Sequence, residues 1–207
     1  VKAGELPLYD IYIEKEQHEH LSDIWLGVLK PFGINPKSKS YDLFISDKQN
    51  TVAQNYVDQY PSKFLVGINL EGAVEGKKIK FPEFYEICAG LYNIDSNIQI
   101  FVLSSPDNFK SYVKKVNKMK LNYVEVSYKT KKILDVAALI SKLDLIVTPD
   151  TSIAHIASSF DKAVVTIHEN NIDSYQLFAP ISKFNRTVFS TSNNNINEFS
   201  VKLILEY

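Results

Sequence analysis

The chain has a single cysteine, Cys88. That excludes an internal disulfide and a cysteine-rich zinc site, and it suits a reducing compartment. No apolar run approaches the roughly 18 residues that a membrane-spanning helix needs, so no transmembrane segment is expected. Positive charge is not in excess, since 23 Lys and Arg face 24 Asp and Glu for a net charge of −1. Nucleic acid is a poor partner for such a balance. Both glycine signatures of nucleotide enzymes are missing. Gly-x-Gly-x-x-Gly does not occur, and the nearest approach to a P-loop, Gly72 to Gly76, runs on into Lys77-Lys78 where Lys-Ser or Lys-Thr is required. The opening Val1-Lys-Ala-Gly-Glu-Leu-Pro lacks the charge and apolar pattern of a signal peptide, and a start at Val1 rather than Met is what a fragment of a longer chain would show. No internal repeat is visible, and no carboxylate cluster argues for a metal.

What is present is a regular alternation of apolar and amphipathic segments. With 207 residues, 45% of them hydrophobic, the chain can bury a full core. Apolar strands are expected at 64–69, 98–103, 123–126, 143–148 and 163–167, with helices between them near 82–92, 108–118, 132–143 and 151–160. A short strand at 187–189 and a helix near 196–206 close the chain. Strands alternating with helices imply an α/β fold, a doubly wound parallel sheet with right-handed crossovers. Residues 1–62 are less regular. They hold an amphipathic helix around 16–30 with Leu21, Ile24, Trp25, Val28 and Leu29 on one face, a loop punctuated by Pro31, Gly33 and Pro36, a strand at 41–45 and a polar helix at 48–59. They read as a connecting region, or the remainder of an N-terminal domain, ahead of a second domain at 63–207.

Two strand ends carry candidate chemistry. In the first, Leu143, Leu145, Ile146 and Val147 form a buried strand that stops at Pro149, which has no N–H to donate. Asp150, Thr151 and Ser152 are good N-cap residues, and Ile153, Ala154, Ile156 and Ala157 supply the apolar face of the helix that follows. Unpaired amides and the positive dipole end at such a start favour a phosphate, and His155 lies about one turn in, close enough to donate to the same anion. The plainer account is that Thr151 or Ser152 caps the helix and His155 is a satisfied, half-buried histidine. The second strand end runs Leu70-Glu71-Gly72-Ala73-Val-Glu-Gly76-Lys77-Lys78-Ile-Lys80-Phe81-Pro82. Its glycines would let backbone approach a ligand and its lysines would neutralise phosphate, although a solvated lysine turn also accounts for it. In a Rossmann-type order the two strands are neighbours, so both loops would face one crevice.

These residues resemble glycosyltransferase family 9, the ADP-heptose:lipopolysaccharide heptosyltransferases. Asp150-Thr151-x-x-x-His155 with the following Ile-Ala and the strand Ala163-Val-Val-Thr-Ile167 is similar to that family's Asp-Thr-Gly-x-x-His-x-Ala block. Gly72-Ala73, the lysines and Phe81-Pro82 resemble its basic loop before a Trp-Pro and a helix, and Phe178-Ala-Pro180 resembles a further landmark. The resemblance implies a GT-B glycosyltransferase, of which residues 63–207 would be the Rossmann-like half that binds the nucleotide sugar. Asp150, Thr151 and Ser152 would lie at the diphosphate and donor sugar, with Gly72 and Ala73 close by. His155 would donate to phosphate, Lys78 or Lys80 would stabilise the leaving nucleoside diphosphate, and Asp107 in the Ser104-Ser-Pro-Asp107 turn would accept from ribose or base. The donor would be ADP-heptose, with no metal and no other cofactor, and the acceptor lipopolysaccharide core, another cell-surface glycolipid or a protein. The catalytic base would belong to a separate N-terminal GT-B domain, so this chain alone would bind nucleotide without turnover, in the cytoplasm or peripherally at the inner membrane. Departures from the pattern are Ser152 for glycine, Phe81 for tryptophan, His168-Glu-Asn170 for a Phe-Gly-Pro-like turn and Ser104-Ser105 for a glycine-rich one. Two other readings stay open: a non-catalytic nucleotide-binding or scaffolding module, and an unrelated Rossmann-like enzyme, which the missing glycine fingerprint disfavours.

Overall fold

A computed structural model of the chain describes residues 19–206. Six strands, β1 (Phe64–Asn69), β2 (Ile98–Leu103), β3 (Val124–Val126), β4 (Leu145–Pro149), β5 (Ala163–His168) and β6 (Asn185–Phe189), form one parallel sheet in the order β3-β2-β1-β4-β5-β6. β1 and β2 pair in register from Phe64 with Ile98 to Asn69 with Leu103, while β1 meets β4 from Val66 with Leu145 to Ile68 with Val147. The order reverses between β1 and β4. That reversal opens the sheet at their carboxyl ends, where ligands of such folds bind.

The helices of the sheet domain are α2 (Asp47–Val57), α3 (Phe81–Ile94), α4 (Phe109–Met119), α5 (Ile133–Ile140), α6 (Ser152–Ser159) and α8 (Val201–Leu205). They cover both faces, which explains why the central strands are apolar without alternation. On one face Val66, Ile68, Ile100, Val102, Val147, Val165 and Ile167 pack against Phe84, Ile87 and Cys88 of α3, Tyr112 and Val116 of α4 and Ile204 of α8. On the other, Leu65, Phe101, Leu103, Ile146 and Val164 meet Val57 of α2, Val136, Ala137, Leu139 and Ile140 of α5 and Ile153, Ile156 and Ala157 of α6. Both cores are closed by residues at or near zero exposure.

Two compact units result. Among the described residues the sheet unit comprises 42–171 and 180–206, and the other comprises 19–41 and 172–179. α2 therefore belongs to the sheet unit. Among the described residues of the smaller unit, α1 (Leu21–Gly27) is followed by a single 3-10 turn, and α7 (Ile172–Phe178) is the other helix. His20 begins α1: its Nδ1 accepts from the Ser22 amide at 3.2 Å, and its Nε2 donates to the Ala179 carbonyl at 3.0 Å. The helix expected over 16–30 is therefore shorter in its described part, and residues 16–18 lie outside the described residues.

Other elements differ from expectation for identifiable reasons. Residues 41–45 show alternating exposure but pair with no strand among the described residues. Leu43 and Ile45 pack against the second core from an extended segment, so a period of two is present without a ladder. The final helix is confined to Val201–Leu205. Upstream of it, Asn195 and Asn197 hydrogen-bond among loop residues, competing with helical backbone bonds as asparagine does. α7 was not expected at all, as its seven residues carry no clear apolar period.

Candidate functional site

The loops after β1, β2 and β4 meet around a crevice of about 470 Å³ at the β1–β4 reversal, joined on one side by the loop after β3. Its walls include Asn69, Glu71, Gly72 and Ala73 from the first loop, Ser104, Ser105 and Pro106 from the second, Thr130, Lys131 and Lys132 from the third, and Asp150, Thr151 and Ser152 from the fourth. Leu103, Ile133, Val136 and Ile153 give it an apolar side.

Hydrogen bonds hold the floor. Asn69, buried at the end of β1, extends its Nδ2 toward the Glu71 carbonyl (2.9 Å), Thr148 Oγ1 (3.0 Å) and Thr151 Oγ1 (3.3 Å), while its Oδ1 accepts from the Glu71 amide at 3.1 Å. Thr151 caps α6 by accepting from the Ile153 amide at 3.3 Å, and its hydroxyl lies 3.1 Å from that of Thr148. Glu71 reaches across to the β2 loop, where one carboxylate oxygen accepts from the Ser105 amide (2.9 Å) and hydroxyl (3.1 Å). Three loops are thereby tied before any ligand arrives, the kind of preorganisation that lowers the ordering cost of binding. Gly72 permits the tight return of its loop: a Cβ there would stand 2.0 Å from the Lys77 carbonyl oxygen.

The opening turn of α5 is built similarly. Asp135 accepts from the amides of Lys131 (2.9 Å) and Lys132 (3.1 Å) and, through its other oxygen, from Gln49 of α2 at 2.8 Å. These contacts, the Gln49 hydrogen bond first, hold its carboxyl below the usual carboxylate range. The turn carrying Lys131 and Lys132 is thus fixed against the crevice while both side chains remain exposed.

The expected site residues divide into three places. Asp150, Thr151, Ser152, Gly72 and Ala73 come together on the crevice walls. Lys78 and Lys80 line a separate cavity of about 400 Å³ on the other side of their loop, with Glu75, Asn108, Ser111, Tyr112 and Lys115. Asp107 is exposed beyond the crevice-lining residues of its turn. His155 is half-buried on α6, outside the crevice wall but near enough to influence His168.

Asn69 and Glu71 fall within the β1 strand end and Ser105 within the turn at 104–107, both already singled out, whereas Thr130, Lys131 and Lys132 carry no sequence signal of their own. Position after a strand was the only clue to them. Lys77, one of the loop lysines expected to neutralise phosphate, turns instead to carboxylates of the chain itself. Its ammonium lies 3.3 Å from Glu169 and 3.9 Å from Asp150, bridging the loops after β1, β4 and β5. The buried His168 ring lies 4.0 Å from the same Asp150 oxygen. Burial lowers the His168 pKa from 6.5; Asp150 opposes that shift and Lys77 reinforces it. Among the described residues no group of three or more His, Cys, Asp and Glu side chains is arranged to hold a metal ion, and no helix is long and apolar enough to cross a membrane.

Solved structures share this architecture. A family 9 glycosyltransferase from Veillonella parvula DSM 2008 superposes with a TM-score of 0.73 at 16% identity, over 86% of this chain and 51% of that one. The E. coli heptosyltransferase WaaC with ADP gives 0.63 at 18% identity, over 86% and 52%. The E. coli ADP-heptose lps heptosyltransferase II gives 0.62 at 16%, over 83% and 54%. At such identities the likeness is one of fold, and the chain spans about half the length of these proteins. No curated protein sequence matches the chain. The family model for glycosyltransferase family 9 (heptosyltransferase) matches residues 5–206, nearly the whole sequence. With its six-stranded parallel sheet and a preformed crevice at the strand-order reversal, the chain belongs to glycosyltransferase family 9, the heptosyltransferase family.

Proposed function

We propose that this chain is the donor-holding half of a GT-B glycosyltransferase that moves a heptose from ADP-heptose to a lipopolysaccharide-core or other cell-surface acceptor. The observation that carries the reading is the crevice itself, where the capped start of α6 faces the loops after β1 and β2 across a partly apolar cavity. Such a site suits a nucleoside diphosphate. The amide of Ser152 and the dipole of α6 would take the diphosphate. Leu103, Ile133, Val136 and Ile153 would pack against the base, and Lys131 and Lys132 would offset phosphate charge from the rim. ADP as the nucleotide follows the bound ADP and ADP-2-deoxy-2-fluoro heptose of the WaaC structures.

In the transfer, the acceptor hydroxyl oxygen would bond to the anomeric carbon as the bond from that carbon to the diphosphate oxygen breaks. The acceptor proton would pass to a base, and negative charge would grow on the departing ADP. Helix amides and lysines directed at that charge would stabilise the transition state more than the ground state. Among the described residues the crevice offers no evident base. Its carboxylates are Glu71, which accepts from Ser105, and Asp150, which faces Lys77 and His168. The base is therefore assigned to a facing N-terminal domain, and the assembled enzyme to the cytoplasm or the inner-membrane surface.

Calorimetric titration with ADP, UDP, GDP and CMP tests this. Selective ADP binding, weakened by Thr151→Val, is the expected result. Absence of binding by all four nucleotides would reject the donor-site reading and favour the non-catalytic one, for which Ser152, exposed on the crevice wall where the resemblance calls for glycine, would be the physical reason. Turnover of a nucleotide-sugar donor by the isolated chain would contradict assignment of the base elsewhere.

A further inference from the structure

The cavity on the far side of the β1 loop has a character of its own. Lys78 and Lys80 enter it from the loop ahead of α3, and Lys115 enters from α4, where its ammonium lies 4.8 Å from the centre of the Phe81 ring. Three cations there face one carboxylate, Glu75. That carboxylate is held by Lys78 at 2.7 Å, and its side chain is 84% exposed. The hydrogen bond from Lys78, followed by the charges of Lys78, Lys80 and Lys115, lowers its pKa, which puts all three lysines within electrostatic reach of one point. An exposed pair of this kind contributes little and can be exchanged readily for another anion.

Neutral donors complete the lining. Asn108 and Ser111 stand at the start of α4, and the buried Tyr112 hydroxyl keeps its proton because burial, with Glu71 and Glu75 nearby, pushes it up to about 12. The surrounding sequence is one-sided too: from Asn108 to Val124 there are five lysines and no acidic residue, in a chain of net charge −1. The apolar face of α4 is already spent on the core through Tyr112 and Val116. Its basic face remains outward.

We propose that this lysine-lined cavity is a second anion site, distinct from the nucleotide crevice, and that it takes a phosphate-bearing sugar through Lys80, Lys115 and, on release from Glu75, Lys78. A phosphomonoester matches several cations in one place, and the hydroxyl and amide donors around them suit sugar oxygens. The two sites share one loop, with Glu71, Gly72 and Ala73 lining the crevice and Glu75, Lys78 and Lys80 lining the cavity. Resting on the glycosyltransferase reading above, the phosphate-bearing sugar is part of the glycolipid acceptor. The lysines then select an anionic acceptor and do not serve the leaving group.

Amide NMR titration of the chain with glucose 6-phosphate, with glucose as control, tests the assignment. Glucose 6-phosphate is expected to shift Lys80, Asn108 and Ser111, glucose to leave them in place, and saturating ADP to leave the response unchanged. Lys80→Ala/Lys115→Ala should weaken the sugar phosphate by about tenfold or more while ADP affinity stays within about twofold. Lys80→Arg/Lys115→Arg should restore most of the binding, and Glu75→Gln should tighten it. No response to glucose 6-phosphate, an equal response to glucose, displacement by ADP, or a matching loss of ADP affinity in the alanine variant would each overturn the proposal. Failure of ADP to bind, with the lysine-dependent response intact, would remove the donor-site reading and leave the anion site standing.

Discussion

Asn69 is a small side chain with a large share in the crevice. Its amide joins the ends of β1 and β4 to the Thr151 cap, and it is only 5% exposed. Asn69→Ala removes these donors and leaves buried oxygens with fewer partners, which costs about 1–2 kcal/mol of stability. ADP affinity should fall by about tenfold as the floor loosens. Urea unfolding and calorimetry on the one variant read both effects, and a variant with wild-type affinity would show that the floor is not needed for binding.

His168 provides a second prediction at this scale. Burial sets its folded pKa below the unfolded value of 6.5, so on acidification the unfolded chain takes up the proton first. Its contribution to stability is complete above 6.5 and is lost as pH falls through the folded value. Thermal melts from about pH 7.5 to about pH 5 should therefore show a steeper decline for the wild type than for His168→Gln. Parallel curves would mean that Asp150 cancels the effect of burial.

Among the elements, α2 is held to the sheet by chemistry that its polar sequence does not advertise. The hydroxyls of Tyr56 and Tyr60 both donate to Glu125 of β3, the latter at 2.6 Å. Both rings pack on Phe101, with centroids 5.2 and 5.1 Å away. Ser46 and Gln49 close the start of the helix as a capping box. Burial, first, and Glu125 raise both phenols, Tyr60 to about 12, so they remain donors across the ordinary pH range. Glu125→Ala leaves two partly buried hydroxyls without their acceptor and should cost about 2–3 kcal/mol. A lower urea midpoint at unchanged slope is the expected signature; an unchanged midpoint would show that aromatic packing alone holds α2.

At the scale of the whole molecule, ligand binding and stability are linked. If ADP binds only the folded chain, a concentration about 100 times its Kd adds about 2.7 kcal/mol. For a domain of this size the melting temperature should then rise by about 5–10 °C. CMP, should it not bind, would give no rise, so a thermal shift series checks nucleotide selectivity without labels.

The sheet was legible from local sequence because its strands are short apolar runs bounded by polar turns, and because Pro149 can only end a central strand. The Thr151 cap was legible for the same local reason. The neighbouring lysines were not. Lys77, Lys78 and Lys80 are nearly equivalent in sequence, yet the 3-10 turn at Glu75–Lys77 sends Lys77 toward Glu169 and Asp150 while Lys78 pairs with Glu75. Nor could sequence alone join Glu71 to Ser105, or Gln49 to Asp135, which meet only because parallel strands bring distant loops to one edge. Periodicity and capping are short-range properties and determined the α/β order and the helix starts. The direction of a charged side chain depends on partners far along the chain, so only the tertiary structure decided which residues form the crevice and which form the lysine-lined cavity behind it.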